Sequence, residues 1–360
     1  MKSLLTIAII IASSTAFATR SRLNALGNAA HLVEQATVYG SPSDIVGLSE
    51  SLTLETGATS TSGTATSAEG MLIKSFGEAK VGIALGHKDV NVNDLRTTLV
   101  SATVTVTQQN PIELTYGTKM GDMSVAGTLV YSNYNNKKAD EKENTMSVRA
   151  GAQTALWTAS VDLGLANKWT SGTTEVKGKT NLVVGGGYNV SPELYVYGSY
   201  SMLGAKKSSG STQDNDLDKN VIQAGAVTSL KKDGNEFFYG ASLVNTVVKD
   251  AKTSLSTTDD TKTTALTLPV IIGFEADAAS WLTLRGSVTQ TVLINDTKEE
   301  TGSTTSSEFS PGANNTTFAA GAGLKFNKVT VDGSILAGGK QNIDLGSNNL
   351  LGQVGLTYAF

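Results

Sequence analysis

The chain has 360 residues, a formal charge of −4, no cysteine and 37 glycines, with 17% charged and 6% aromatic residues. The missing cysteines exclude disulfide frameworks and thiolate metal sites, and so mild a charge leaves no footprint for nucleic acid, which is not expected as a partner. Mean hydropathy is −0.06, the value of a soluble chain, but equally of a barrel whose lipid-facing and water-facing residues cancel.

Residues 1–18 read as a signal peptide. Lys2 supplies the positive charge, residues 4–12 form an apolar run too short to span a bilayer, and Ala16-Phe17-Ala18 is a cleavage site that predicts a mature start at Thr19. Residues 19–46 differ from everything after them. Leu23, Leu26, Ala30 and Val33 recur at helical spacing, and Gly40-Ser41-Pro42-Ser43-Asp44 breaks the pattern. They predict a separate N-terminal segment ahead of a domain over residues 47–360.

From residue 48 the chain is a series of alternating apolar and polar positions separated by turns, the period of strands with a different solvent on each face. Short connectors fall at Gly77-Glu78, Gly121-Asp122, Thr154-Ala155, Ser191-Pro192, Lys232-Asp233-Gly234, Ala278-Ala279 and Asn327-Lys328. Between them lie longer polar stretches near residues 57–68, 89–109, 135–143, 170–177, 205–218, 250–261, 295–311 and 338–347. Tight turns alternating with long loops predict an all-β fold, a transmembrane up-and-down antiparallel β-barrel of about 16 strands. Counts of 14 or 18 stay open for three reasons. Residues 89–109 contain their own alternating run, which reads as an extra hairpin, an extended strand or a loop folded into the pore. Pro269 interrupts a strand. Residues 69–76 choose no face.

Aromatic residues break the tie with a soluble sandwich. Phe76, Tyr116, Trp157, Tyr188, Tyr195, Phe237, Phe274, Trp281, Phe326 and Tyr358 lie near a short connector or the C-terminus, which predicts one membrane-interface ring. Tyr131, Tyr134, Trp169 and Tyr200 would form a sparser ring at the other end. The last strand alternates Leu350, Gly352, Val354, Leu356, Tyr358 and Phe360 with Leu351, Gln353, Gly355, Thr357 and Ala359.

That final strand resembles those of Gram-negative outer-membrane β-barrel proteins, which end in Phe after alternating apolar residues. The resemblance implies contact with outer-membrane lipid, recognition of the last strand by the outer-membrane assembly machinery and, as in porins of this strand number, a homotrimer. Residues 19–46 loosely resemble the hatch of long-chain fatty-acid transporters, although Ser41-Pro42-Ser43 stands where that family has Asn-Pro-Ala; the resemblance implies a segment at the periplasmic mouth or inside the lumen.

Chemistry is sparse. His31 and His87 sit in segments of different kind, and no Ser–His–Asp set or metal-ligand spacing can be drawn from them. Val184-Gly185-Gly186-Gly187 lacks the lysine and helix of a phosphate loop, and residues 214–218 read as a solvated acidic loop rather than a calcium site. No enzyme and no cofactor are expected. Single charges of both signs occur on the inward phase: Glu55, Glu113, Asp162, Glu275 and Asp332 against Lys80, Arg149, Lys168, Arg285 and Lys325. Charge in a spanning strand requires water or a partner. Arg149, Asp162, Arg285, Glu113 and Asp332 are therefore the pore-constriction candidates. The sequence predicts a porin passing small hydrophilic solutes and ions, against two alternatives: a hatch-plugged transporter of hydrophobic compounds, and a surface barrel that binds a partner through its loops.

Overall fold

The computed structural model describes residues 19–57, 67–100, 106–210, 212–252, 260–291, 296–301, 304–309, 316–339 and 350–360. The expected leader, residues 1–18, lies outside the described residues.

Alternation in the sequence becomes twenty strand segments in chain order. They are β1 (Ser51–Gly57), β2 (Ser67–Phe76), β3 (Ala79–Leu85), β4 (Ile112–Met120), β5 (Met123–Asn136), β6 (Glu141–Gln153), β7 (Trp157–Ser171), β8 (Thr174–Gly178), β9 (Asn181–Asn189) and β10 (Leu194–Ser209). The second half holds β11 (Thr212–Lys232), β12 (Asn235–Lys252), β13 (Thr261–Thr267), β14 (Pro269–Ala279), β15 (Leu282–Thr291), β16 (Asp296–Thr301), β17 (Thr304–Phe309), β18 (Thr316–Phe326), β19 (Val329–Gly339) and β20 (Leu350–Ala359).

Each pairs antiparallel with its neighbours, and the first strand closes on the last, with Leu54 opposite Leu356 and Thr53 opposite Thr357. β8 with β9, β13 with β14, β15 with β16, and β17 with β18 are each two pieces of one stave. The twenty segments therefore make a closed barrel of sixteen strands, which leaves no open edge around the ring of described strands. Pro269 marks the break between β13 and β14. β12 pairs with both pieces in one register, so the missing donor interrupts the ladder without shifting it.

All the predicted short connectors join strands at one end of the barrel, the end where β1 begins and β20 stops. The one displaced is Ala278-Ala279, which belongs to β14, so that the turn falls at Ser280-Trp281. Gly77, Gly121, Asp233 and Asn327 open two-residue turns with φ between 52° and 63°, the left-handed conformation that tight hairpins require.

At the opposite end much of what reads as loop is strand. β5 and β6 pair up to Asn136 and Glu141, β7 and β8 turn over residues 172–173, and β16 pairs with β17 from Asp296 to Phe309. The physical reason is that a strand rising above the membrane meets water on both faces. It has no need to alternate, and its polar composition resembles a loop. Residues 214–218 are one case: they lie in β11, where Asp216 and Asp218 face Lys179.

The outer wall is apolar. Leu54, Leu114, Leu129, Ile222, Leu243, Ile272, Val288, Ile335, Val354 and Leu356 are exposed around the ring. Their neighbours in sequence, such as Thr53, Glu113, Thr128, Ser242, Ser287, Ser334 and Thr357, are buried on the inside. If the outer face meets hydrocarbon, Leu243→Arg costs about 2–4 kcal/mol, the range for an arginine at mid-membrane. Gln223→Arg, on the inward phase of β11, should cost much less. Urea titration of the barrel refolded in lipid vesicles measures both.

Candidate functional site

Two parts of the chain enter the lumen. Residues 19–47 enter from the short-turn end as a helix α1 (Arg20–Ala25) and two 3-10 turns (Gln35–Tyr39, Pro42–Val46). From the other end, the connector between β3 and β4 folds inward as a helix α2 (Val90–Leu99), whose first amides are capped by Asp89. Of the three readings of residues 89–109, the loop folded into the pore matches α2; residues 101–105 lie outside the described residues.

Inward apolar patches receive both insertions. Leu95, Leu99 and Val100 pack with Trp169, Val176, Leu203 and Leu217. Leu23, Leu26 and Leu32 pack on Val227 and Phe238, and Val38, Ile45 and Val46 on Met71 and Ile73. The last contact explains why residues 69–76 show no face: Met71 and Ile73 point inward, yet meet protein instead of water. Inward glycines make room for the segment. A Cβ on Gly117 would lie 2.7 Å from Ile45, and one on Gly321 2.6 Å from Ala25.

Charged side chains of the wall gather into two networks, and the five constriction candidates divide between them. In the first, Arg149 on β6 bonds Asp162 directly opposite on β7 (2.9 Å), Glu113 on β4 (2.8 Å) and Asp89 (3.5 Å). His87 holds the other oxygen of Glu113 at 2.5 Å and stacks on Tyr39 at 3.6 Å between ring centres, which links the N-terminal segment to the α2 connector.

In the second, Arg285 on β15 bonds Glu275 opposite on β14 and Asp332 on β19, each at 2.5 Å. It reaches Asp332 across β18 because Gly323 carries no side chain there: a Cβ would lie 2.7 Å from Asp332 and 2.8 Å from Arg285. Arg22 of α1 lies against Glu34 and bonds Glu275 at 2.6 and 2.8 Å. A buried cation costs several kcal/mol unless it is paired, so these contacts make the inward charges tolerable.

A further arginine escaped the sequence reading. Arg96 on α2 is fully buried, donating to Asn167 (2.8 Å), Thr145 (2.8 Å) and Glu143 (3.3 Å). Its signal was hidden because it falls in a connector. Asp44 is buried too, and although Thr37 and Ser41 donate to it, burial pushes its carboxyl up to about 6. Burial, reinforced by Glu69 and Glu113, also pushes the Tyr39 phenol up.

Tyr116, Tyr188, Phe274, Trp281, Phe326, Tyr358 and Phe360 are all exposed near the short-turn end, and Trp157 pairs with Tyr188 there. Three other aromatics are not where the spacing put them. Tyr195 points inward over Gly187, bonding Thr158. Tyr134 shares the inward phase with its partner Glu143. Trp169 is buried in the lumen. Between Met146 and Ser147 the β6–β7 register shifts, which leaves Leu165 as the extra residue. One extra residue reverses the phase beyond it. The same bulge turns Lys168 outward, to pair with Glu175 instead of facing the pore.

No protein-family model and no curated protein matches the chain. Solved structures similar to it include a bacterial polysaccharide outer membrane secretin (9% identity, 86% of this chain, 97% of that one, TM-score 0.47). Others are the CymD monoaromatic hydrocarbon channel (12%, 94% and 97%, 0.46) and a mutant Rh. blastica porin (12%, 87% and 99%, 0.37). The closed ring, apolar outside and charge-paired inside, has the architecture of an outer-membrane β-barrel.

The first network and the buried Asp44 each lead to a test. Arg149→Met leaves Glu113, Asp162 and Asp89 facing one another, so stability in detergent should fall by about 3 kcal/mol, the lower end for breaking a buried pair because lumenal water relieves part of the cost. The urea midpoint reads this. Asp44 binds a proton more tightly folded than unfolded, so its contribution is present at pH 4 and is lost as pH rises through about 6. Protection of residues 35–47 against hydrogen exchange should therefore fall between pH 4 and 7 by the equivalent of about 2–3 kcal/mol, and Asp44→Asn should flatten that dependence.

Proposed function

We propose that the chain is exported with a cleaved leader and acts in the outer membrane as a porin-like channel for small hydrophilic solutes and ions, moving passively down their gradients. The observation that carries this reading is the polar, ion-paired inner wall, in which carboxylates and guanidiniums face each other across neighbouring strands. Opposed charges around an aqueous path set a transverse field and a weak, tunable ion preference. Arg149 with Glu113 and Asp162, and Arg285 with Asp332, are the residues assigned to the narrow parts of that path. The exposed aromatics of the short-turn end serve as its membrane-interface ring, and the exposed apolar face of β20 suits recognition by assembly machinery.

The insertions favour a second reading, the plugged transporter of hydrophobic compounds. Against it stands the use of the buried inward apolar residues: in each of the three described clusters they pack on α2 or on the N-terminal segment. No covalent step belongs to either reading.

Single-channel recording in planar bilayers, with reversal potential under a salt gradient, tests the proposal. The mature protein should conduct with weak ion preference. Removing residues 19–46 should raise conductance several-fold, and Arg149→Met should move the reversal potential toward cations. Correctly inserted protein that passes no ions, with or without that segment, would remove the channel reading.

A further inference from the structure

Thr19 is the residue that cleavage after Ala18 would leave first, and it is fully buried in the wall of the second charged network. Its hydroxyl donates to Asp332 at 3.3 Å, and the next amide, of Arg20, donates to Glu55 Oε1 at 2.5 Å. Gly355, on β20, has no side chain where Thr19 lies, and a Cβ there would collide with it.

The charges around this residue do not balance. Glu34, Glu55, Glu69, Glu275 and Asp332 form one linked set in which Arg20, Arg22 and Arg285 are the cations among the described residues. Among the described residues, the buried oxygens of this set and its chain neighbours without a hydrogen-bond partner are Glu55 Oε2, the two Glu34 oxygens, of which Oε1 lies against Arg22, and Ser21 Oγ, on a residue 1% exposed. An unpaired buried carboxylate oxygen costs several kcal/mol unless a cation or donor reaches it.

We propose that this place is a socket for the chain's own α-ammonium. The inference rests on the reading of residues 1–18 as a cleaved leader. Hydrolysis by a leader peptidase adds water across the Ala18–Thr19 amide. Ala18 departs with the new carboxylate, and the Thr19 nitrogen takes up protons to become an ammonium, charged at neutral pH. That cation enters beside Glu55 and Asp332, supplies one of the two missing positive charges and gives Glu55 Oε2 a donor. The uncleaved amide has neither the charge nor the extra hydrogens. Processing of the leader would therefore complete the docking of residues 19–47 in the lumen, and an unprocessed chain would hold that segment loosely.

The test compares full mature barrels that start at Thr19 with barrels carrying a Gly-Ser extension before Thr19, each with and without Glu55→Gln. Readouts are protease sensitivity of residues 19–47 and planar-bilayer conductance. Extension or Glu55→Gln alone should raise cleavage of the segment at least about tenfold, the equivalent of a 1.4 kcal/mol pairing, and the two together should do little more. Extension without effect, or effects that multiply, would overturn the socket. Acetylating the Thr19 amine in the folded barrel is the second probe: it should mimic the extension where the reagent reaches the amine, and a free amine acetylated without loosening the segment would also overturn it. Mass spectrometry of the exported protein separates the premise from the proposal. A start other than Thr19 removes the leader reading, whereas a Thr19 start with no coupling to Glu55 removes only the socket.

Discussion

Closure of the sheet is the constraint on which everything else depends. Once β1 pairs with β20, each described stave of the ring is paired on both sides, apart from local breaks such as those at Pro269 and Leu165, and the ring of described strands leaves no open edge to cover. The wall then separates two environments that one-dimensional alternation must serve at every position. Outside, leucine, isoleucine, valine and aromatic side chains lie exposed, and inside are threonine, serine, glycine and charge. A charge on the inner face is tolerable only with a partner within reach, and the ring supplies partners at strand spacing. Arg149 finds Asp162 directly opposite, and Arg285 finds Glu275 opposite and Asp332 beyond a glycine.

Strands and closure were legible because period-two alternation is a local signal. The final strand reads correctly residue by residue, with Gln353, Gly355 and Thr357 inside and Val354, Leu356 and Tyr358 outside. Where one of the two environments changes, legibility fails. Above the membrane both faces are wet, so the strand ends around residues 135–142 look like loop. Inside the barrel, the places where α2 and the N-terminal segment pack are dry, so Met71 and Ile73 mimic lipid-facing residues while pointing inward. The bulge at Leu165 reverses phase in a single residue, and no composition signal announces it; Trp169 and Lys168 exchange faces as a result.

The inward charges were legible as types and faces but not as networks. Spacing placed Arg149, Asp162, Glu113, Arg285 and Asp332 on the inner phase. It could not say that His87, Asp89, Arg22 and Thr19, which come from the insertions, complete the two clusters. Arg96 was hidden altogether. The insertions thus tie the lumen together. Tyr39 stacked on His87 joins the segment entering from one end to the connector entering from the other, so the two are not independent obstructions in the path.

The most direct measurement of the central claim uses paired nitroxide labels at Leu356 and Thr357 on β20, and at Leu243 and Ser242 on β12, in protein reconstituted into lipid vesicles. Collisional relaxation by oxygen, which concentrates in hydrocarbon, should be strong at 356 and 243 and weak at 357 and 242; a water-soluble nickel chelate should be excluded from 356 and 243. Equal accessibility within each pair, or strong nickel relaxation at 356 and 243, would contradict a closed wall with lipid on one side and a protein-filled aqueous lumen on the other.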